Sequence, residues 1–405
     1  MKILKCHNFY QQPGGEDASF EAEVRLLESY GHEVVHFTLH NDAIREIGRF
    51  GAAGRTVWNP ESHRRVRELV RRERPDVMHC TNSFPLLSPA VLYAAQGEGI
   101  PVVQSLRNYR LLCPNAVFLR NGRVCEDCLG RAVPWPGVRH ACYRGDRAAS
   151  VTVAAMLSVH RLLRTWLRAV DLYVAPSEFA RHKFVEGGLP ATRVLVKPNF
   201  VDPDPGLGTG RGGYFLFAGR LAEEKGVGTL LGAWQRLPKR VVLKVVGDGP
   251  LAARVREAAC ADSRIRWLGL RSRVEVQTLM GEASAVLVPS TCYETFGRTI
   301  VEAFARGTPV IASRLGAMAE LVEEGRSGLR FEAGNAADLA ARLRQALEDP
   351  RTFARMRRAA RAEFERRYDA SSNHRMLTEI YGKAAALRAE RGASRWVRIS
   401  RHREH

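Results

Sequence analysis

The sequence predicts an α/β protein built from two successive parallel-sheet lobes that face each other across a cleft. Two observations carry this expectation. Short apolar, strand-like runs alternate with helical patterns in two separate series along the 405 residues. The best linker in the chain, PDPGLGTGRGG at 203–213, falls between the two series. A strand, a helix and another strand at this spacing form βαβ units on a parallel sheet, and at about 150 residues per domain the length allows two or three domains with ample core. Ligands of such sheets bind at the carboxyl ends of the strands.

The first lobe, residues 1–202, opens with a strand at 3–6 and a loop at 11–15 that ends in Gly14 and Gly15. In the following helix Phe20, Val24 and Leu27 recur on one face, and Gly31 stops it. Strands at 33–38, 76–80 and 102–106 follow, with helices near 61–73 and 89–96 between them. Residues 108–147 break the rhythm with Cys, Pro, Gly and Arg and read as an insertion. A long helical stretch at 148–169, a strand at 172–175, a helix at 177–186 and a strand at 193–197 complete the lobe. The second lobe, 214–369, repeats the alternation with strands at 214–218, 241–246, 264–268, 285–288 and 309–312. Residues 370–405 read as a C-terminal helix that packs back on a lobe, followed by a basic tail.

The chain carries a net charge of +19, mostly as arginine. Nucleic acid, an anionic membrane surface or a phosphorylated substrate would each account for such a surplus, and many of these arginines are expected to line solvated helix faces. No nucleic-acid module or basic strand with interleaved aromatics is recognisable, so nucleic acid is not the expected partner. There is no uncharged apolar run of about 18 residues, hence no expected membrane span. Lys2 and Lys5 are not followed by the apolar core of a signal peptide. A cytoplasmic location is therefore expected, peripheral on the inner face of a membrane if the basic surface meets one.

Two elements of the second lobe carry chemistry. After the strand at 214–218 comes Gly219-Arg220-Leu221-Ala222-Glu223-Glu224-Lys225-Gly226. A guanidinium and an ammonium at a strand's carboxyl end, beside a helix N-terminus, suit a diphosphate, whereas a plain surface loop would leave both solvated. The second element is Glu294-Thr295-Phe296-Gly297-Arg298-Thr299-Ile300-Val301-Glu302. Here Gly297 lets backbone approach a ligand as a helix begins, its first-turn N–H groups suit phosphate, and carboxylates suit the hydroxyls of a sugar. The turn VGDGP at 246–250 also begins a Gly-x-Gly-x-x-Ala pattern, Gly247 to Ala252. The next strand ends Trp267-Leu268-Gly269 without the acid a dinucleotide needs, so an oxidoreductase is set aside.

Taken together, these motifs resemble the retaining family-4 glycosyltransferases with two Rossmann-like lobes, the GT-B fold. The likeness rests on the Gly14-Gly15 loop, PNFVD at 198–202, GRLAEEKG at 219–226, VGDGP at 246–250 and Glu294-x7-Glu302, and it runs in order over nearly the whole chain. It implies a sugar transfer from a nucleoside diphosphate sugar to a hydroxyl of a glycan or lipid-linked acceptor, as in cell-surface polysaccharide synthesis, with no cofactor for catalysis. Arg220 and Lys225 would neutralise the donor diphosphate. Glu294 would bind donor-sugar hydroxyls, the backbone of Phe296, Gly297, Arg298 and Thr299 would lie beside sugar and phosphate, and Glu302 would hold the ribose. Gly14 and Gly15 would cap the diphosphate from the first lobe. Where the family commonly has a histidine at the reaction centre this chain has Arg107, which cannot accept a proton and is expected to contact the diphosphate or donor sugar. That departure also makes a non-catalytic binder of nucleotide sugar or glycan thinkable. His79, on a buried strand, reads as a core histidine.

Four of the eight cysteines crowd into the insertion as Cys113-x11-Cys125-x2-Cys128-x13-Cys142. A C-x2-C pair with two outlying cysteines suits one tetrahedral structural zinc, the alternatives being four reduced thiols or a redox pair at Cys125 and Cys128. His140 is a substitute ligand. The stretch 148–169, with Val151, Ala155, Leu162 and Trp166 on one side, reads as a core-facing helix or as one lying on an anionic membrane. The tail at 388–405, with Trp396, Val397 and Ile399, is the better candidate for membrane contact.

Overall fold

The computed structural model describes residues 1–12 and 14–401, with side chains to residue 391. The membrane-contact expectation for Trp396, Val397 and Ile399 therefore lies outside the described residues. Two six-stranded sheets, parallel throughout, form the two lobes. The first contains β1 (Lys2–Phe9), β2 (Glu33–His40), β3 (Val77–Asn82) and β4 (Val102–Ser105). A two-stranded hairpin, β5 (Leu119–Arg120) and β6 (Arg123–Val124), stands apart in the insertion, and β7 (Leu172–Ala175) and β8 (Val194–Val196) return to the first sheet, whose order is β2-β1-β3-β4-β7-β8. The second sheet holds β9 (Tyr214–Ala218), β10 (Val242–Val246), β11 (Ile265–Gly269), β12 (Ala285–Val288), β13 (Val310–Ser313) and β14 (Gly328–Phe331), in the order β11-β10-β9-β12-β13-β14.

Both sheets are covered by helices on their two faces, which is why β3, β4, β7, β12 and β13 are buried at every position. The order reverses beside β1 and beside β9, and the carboxyl ends of those strands point into the cleft. The helix Pro350–Arg367 packs on the second lobe through Phe353, Met356, Ala360 and Phe364. The chain then crosses back, and Leu377, Ile380, Tyr381 and Ala384 of the helix Ala370–Arg401 join Ile3, Val77, Val103 and Leu172 in the first lobe's core. The expected return of the C-terminal helix is thus met, and its apolar face is what holds it there.

The structure departs from or adds to the local reading at three places. Residues 44–57, unassigned from the sequence alone, are a helix bent where Gly48 takes φ +73°. The stretch 148–169 is not one helix: it ends as Arg147–Leu162, turns at Arg164 (φ +54°), and resumes over Thr165–Arg168. Its core face is formed by Val153, Ala154, Met156, Leu157 and His160, while Val151 and Leu162 point to solvent. The edge strand β14 was not expected, because GLRF after a turn is too short to show a period.

Candidate active site

The second lobe's half of the cleft is built on glycines that let two loops touch backbone to backbone. A Cβ on Gly247 (φ +131°) would sit 1.9 Å from the carbonyl oxygen of Gly219, and one on Gly226 (φ +70°) 1.8 Å from that of Pro289. The 219–226 loop is therefore pressed between the ends of β10 and β12, and Leu221 N–H donates to Asp248 O at 2.9 Å while Leu251 N–H donates to Leu221 O at 2.8 Å. This fastening leaves Arg220 exposed, with no hydrogen-bond or ion-pair partner for its guanidinium among the described residues. Five residues on, Lys225 Nζ lies 2.5 Å from Glu294 Oε1, which also accepts from Ser290 Oγ at 2.8 Å.

Burial opposes ionisation of the Glu294 carboxyl, but Lys225 and the Ser290 hydroxyl outweigh it and hold the group below the usual carboxylate range. Burial likewise works against the Lys225 ammonium, and Glu294 reverses that, leaving the lysine above its usual value. Both are charged at neutral pH. Gly297 (φ +100°) opens the helix Arg298–Ala305, whose first N–H groups have no acceptor within the helix. The Phe296 side chain is in the core, so only its backbone faces the site. Thr299 lies half-buried in the first turn. Arg298 Nε donates to Glu302 Oε1 at 2.9 Å, and Arg298 Nη1 reaches Ser19 Oγ of the first lobe at 3.3 Å. Two pairs, Lys225–Glu294 and Arg298–Glu302, thus bring sequence-predicted residues together, while Arg220 stands exposed at the start of the loop that carries Lys225.

On the opposite side, Gly14 and Gly15 are exposed at the start of the helix Gly15–Ser29, and Gly14 N–H donates to Asp17 Oδ2 at 2.9 Å. Asp17 is fixed in turn by His7 Nε2 at 2.8 Å. Arg107 does not meet the expectation of a donor contact in this arrangement. Its side chain is only 5% exposed and turns inward, where Nη2 lies 2.5 Å from Glu23 Oε1 and Nη1 bonds Asn199 Oδ1. The reason is Glu23, a carboxylate on the apolar face of the Gly15–Ser29 helix that is buried among three cations. Lys5 Nζ and Lys197 Nζ are each 2.9 Å from it. Burial of Glu23 would favour its neutral form, but Lys197, Lys5 and Arg107 together hold it well below the usual range. Lys197, desolvated beside other cations, is pushed down to about 8.

Sequence reasoning missed Glu23, Lys5, Lys197 and Ser290. A readable signal existed for three of them: Glu23 interrupts the Phe20, Val24, Leu27 face, and Lys5 and Lys197 stand within or beside apolar strands. His79 is the buried core histidine expected, bonded to Ser105 Oγ and Tyr381 Oη, each at 2.9 Å.

The lobes meet around residues 293–295. Thr295 Oγ1 donates to Arg107 O at 2.8 Å, Tyr109 Oη to Glu294 O at 3.3 Å, and Ser177 Oγ to Thr295 O at 2.7 Å. Glu320 of the second lobe caps the first-lobe helix Glu178–Glu186, accepting from the N–H groups of Glu178 and Phe179 at 3.1 and 2.8 Å. Beside this seam a first-lobe cavity at the carboxyl ends of β3 and β4 is lined by Thr81, Gln104, Arg107, Arg110 and Trp166. Thr81 Oγ1, Gln104 Oε1, Arg107 Nε, Arg110 Nε and Trp166 Nε1 are all buried there without a hydrogen-bond partner. Such a wall of unpaired donors and acceptors suits a hydroxyl-rich ligand or ordered water.

Comparison with known proteins bears on the family and the fold. Residues 13–205 match the family model for Glycosyltransferase Family 4, and residues 212–349 that for Glycosyl transferases group 1. The chain is 28% identical over 345 residues to the glycogen synthase of Mycobacterium tuberculosis, covering 80% of this chain and 82% of that one. It is 27% identical over 405 residues to the phosphatidyl-myo-inositol mannosyltransferase of Mycolicibacterium smegmatis, covering 93% and 92%. Among solved structures, Anabaena HepE in complex with UDP-glucose superposes with a TM-score of 0.67 at 20% identity, over 94% of this chain and 98% of that one. Sucrose-phosphate synthase from Thermosynechococcus elongatus superposes with a TM-score of 0.70 at 15% identity, over 95% and 99%.

Proposed function

We propose that this chain, which belongs to the group 1 and family 4 glycosyltransferases of the GT-B fold, moves a hexose with retention from a nucleoside diphosphate sugar to a hydroxyl of a glycan or lipid-linked acceptor. The observation that carries the reading is the unpartnered Arg220 guanidinium on the same loop that brings Lys225 to Glu294. A diphosphate entering between them gains Arg220 outright and draws Lys225 away from Glu294, which frees that carboxylate to accept from donor-sugar hydroxyls. The two cations then stabilise the leaving group as the bond from the anomeric carbon to the phosphate oxygen breaks and charge gathers on the diphosphate. The acceptor oxygen bonds the same face, and its proton passes to the departing phosphate, because Arg107 cannot take it. Glu302, already oriented by Arg298, keeps one carboxylate oxygen for the ribose, and the exposed Gly14-Gly15 turn meets the diphosphate from the other lobe through the Gly15 N–H, that of Gly14 being held by Asp17.

The cavity of unpaired polar atoms below Arg107 is the acceptor side of this reading. Exposed apolar side chains support a lipid-linked acceptor: Phe50 is 96% exposed, Leu162 85% and Trp135 63%, on neighbouring first-lobe helices rich in arginine. Such a face fits an anionic membrane surface with the enzyme on its cytoplasmic side, in the synthesis of a cell-surface polysaccharide or glycoconjugate. No helix among the described residues is long and apolar enough to cross a membrane. The non-catalytic binding alternative, which rested on Arg107 in place of the family's histidine, is opposed by the glycosyltransferase family models and relatives that match the chain. The test is a screen of nucleotide sugars for release of nucleoside diphosphate, followed by the anomeric configuration of the product. Release with an α-linked donor and an α-linked product is expected. An inverted product would overturn retention, and no turnover with any donor would overturn transferase activity.

A further inference from the structure

We infer that Cys113, Cys125, Cys128 and Cys142 form one structural zinc site that holds the insertion 108–147 against the donor-binding loops. The four residues come from separate turns of the insertion, yet all line a single small cavity, together with Pro114, Arg120, Asp127 and Gly137. Their sulfurs lie near enough to one another to interact electrostatically. None is in a disulfide. The hairpin β5–β6 turns through Asn121 (φ +53°) and Gly122 (φ +70°) and delivers the chain to Cys125, after which the C-x2-C segment folds back.

Cys128 Sγ donates to Pro134 O at 3.8 Å, and zinc binding would displace that thiol proton. Arg120 lies near the sulfurs of Cys125 and Cys142, and Arg161 near that of Cys128. Binding one Zn²⁺ to four thiols releases four protons and leaves a net charge of −2 on the cluster, which Arg161 and Arg120 oppose only in part, because Arg120 is also paired with Asp127 at 2.8 Å. His140 is exposed and does not line the cavity, so it is not a ligand here. Among the described residues no three ligand side chains already stand in a coordinating arrangement, so uptake draws the sulfurs inward from the cavity wall. A redox pair is the weaker reading, because it would use Cys125 and Cys128 and leave Cys113 and Cys142 facing the same space without a purpose.

The site has a structural reason to exist. Of the insertion's 40 residues few are apolar and buried, and a chain segment of that kind needs another source of order. The insertion also reaches the second lobe. A Cβ on Gly122 would lie 3.2 Å from Glu223 of the 219–226 loop, and Phe118 packs on Tyr293, one residue before Glu294, at 5.9 Å between ring centres. Four protein ligands leave no open position, so the metal shapes the cleft and takes no part in the reaction.

The experiment is metal analysis of the full chain purified without chelator, with X-ray absorption at the zinc edge and thiol titration. About one zinc per chain, with four sulfurs near ~2.3 Å, is expected. An organomercurial should release that zinc as the four thiols react. The exposed Cys260→Ser variant should keep the metal. A Cys128→Ser variant should lose it; should that variant not fold, the absorption spectrum and mercurial release from the unaltered chain decide. Metal-free protein with four freely reactive thiols, an oxygen- or nitrogen-rich coordination shell, or zinc retained in folded Cys128→Ser protein would each overturn the assignment.

Discussion

Replacing Arg220 by Ala isolates the donor site more cleanly than any other change. Its guanidinium is exposed and touches no other described side chain, so folding stability should be unaffected. What is lost is one charge-assisted contact to the diphosphate, about 1.5–3 kcal/mol, and the exposed setting puts it at the lower end. That corresponds to a Kd for the nucleoside diphosphate roughly 10-fold higher. Lys225→Ala differs in kind. In the empty cleft Lys225 already spends its charge on Glu294 at 2.5 Å, so part of its phosphate contact replaces a contact it must give up. Removing it also leaves Glu294 with only Ser290, and burial then lifts its carboxyl toward or above the usual range. The Lys225 variant should therefore show weaker binding and an acid limb of activity displaced to higher pH, whereas the Arg220 variant should show weaker binding alone. The double variant should bind at least about 100-fold more weakly. The assay is titration calorimetry with UDP, GDP and ADP, beside thermal unfolding and a pH profile. Unchanged affinity in a folded double variant would refute the site.

The two glutamates of the 294–302 element should separate kinetically: Glu294→Gln is expected to lower kcat, because its bonds to the sugar tighten as charge develops, and Glu302→Gln to raise KM. Equal loss in KM alone for both would show that Glu294 does not act on the sugar in the transition state. Arg107→Ala should destabilise the first lobe by about 1.5–3 kcal/mol, because it removes charge-assisted bonds to Glu23 and Asn199 while Glu23 keeps Lys5 and Lys197, and Arg107→Lys should recover part of that. A urea midpoint unchanged in Arg107→Ala, with activity lost, would return the residue to the donor. Lys197 supplies a pH test. Its folded pKa, about 8, lies below the ordinary 10.5, so the cost of burying its charge is complete below pH 8 and is relieved as pH rises from 8 to 10.5. Relative to Lys197→Met, the unaltered chain should gain on the order of 1–2 kcal/mol between pH 7.5 and 9.5. A difference between the two proteins that is flat across that window would mean Lys197 is uncharged or solvated.

The two-lobed architecture was legible in the sequence because strand and helix periods depend on local side-chain patterning. The same holds for the 219–226 and 294–302 elements, in which charged residues and glycines lie within eight or nine positions of one another at strand ends. The placement of Arg107 was not legible. Whether its guanidinium faces the cleft or the core depends on a carboxylate 84 positions away in sequence, and Glu23 captures it only once the Gly15–Ser29 helix is laid across β1 with Lys5 and Lys197 beneath it. The Lys225–Glu294 pair and the Glu320 cap on a helix of the other lobe are of the same kind. The sequence by itself determined which segments form strands and helices and which loops carry charge to the cleft, since these follow from neighbours along the chain. Only the tertiary structure decided which charges neutralise one another and which, like Arg220, remain free, since ion pairing requires side chains distant in sequence to approach within a few ångströms.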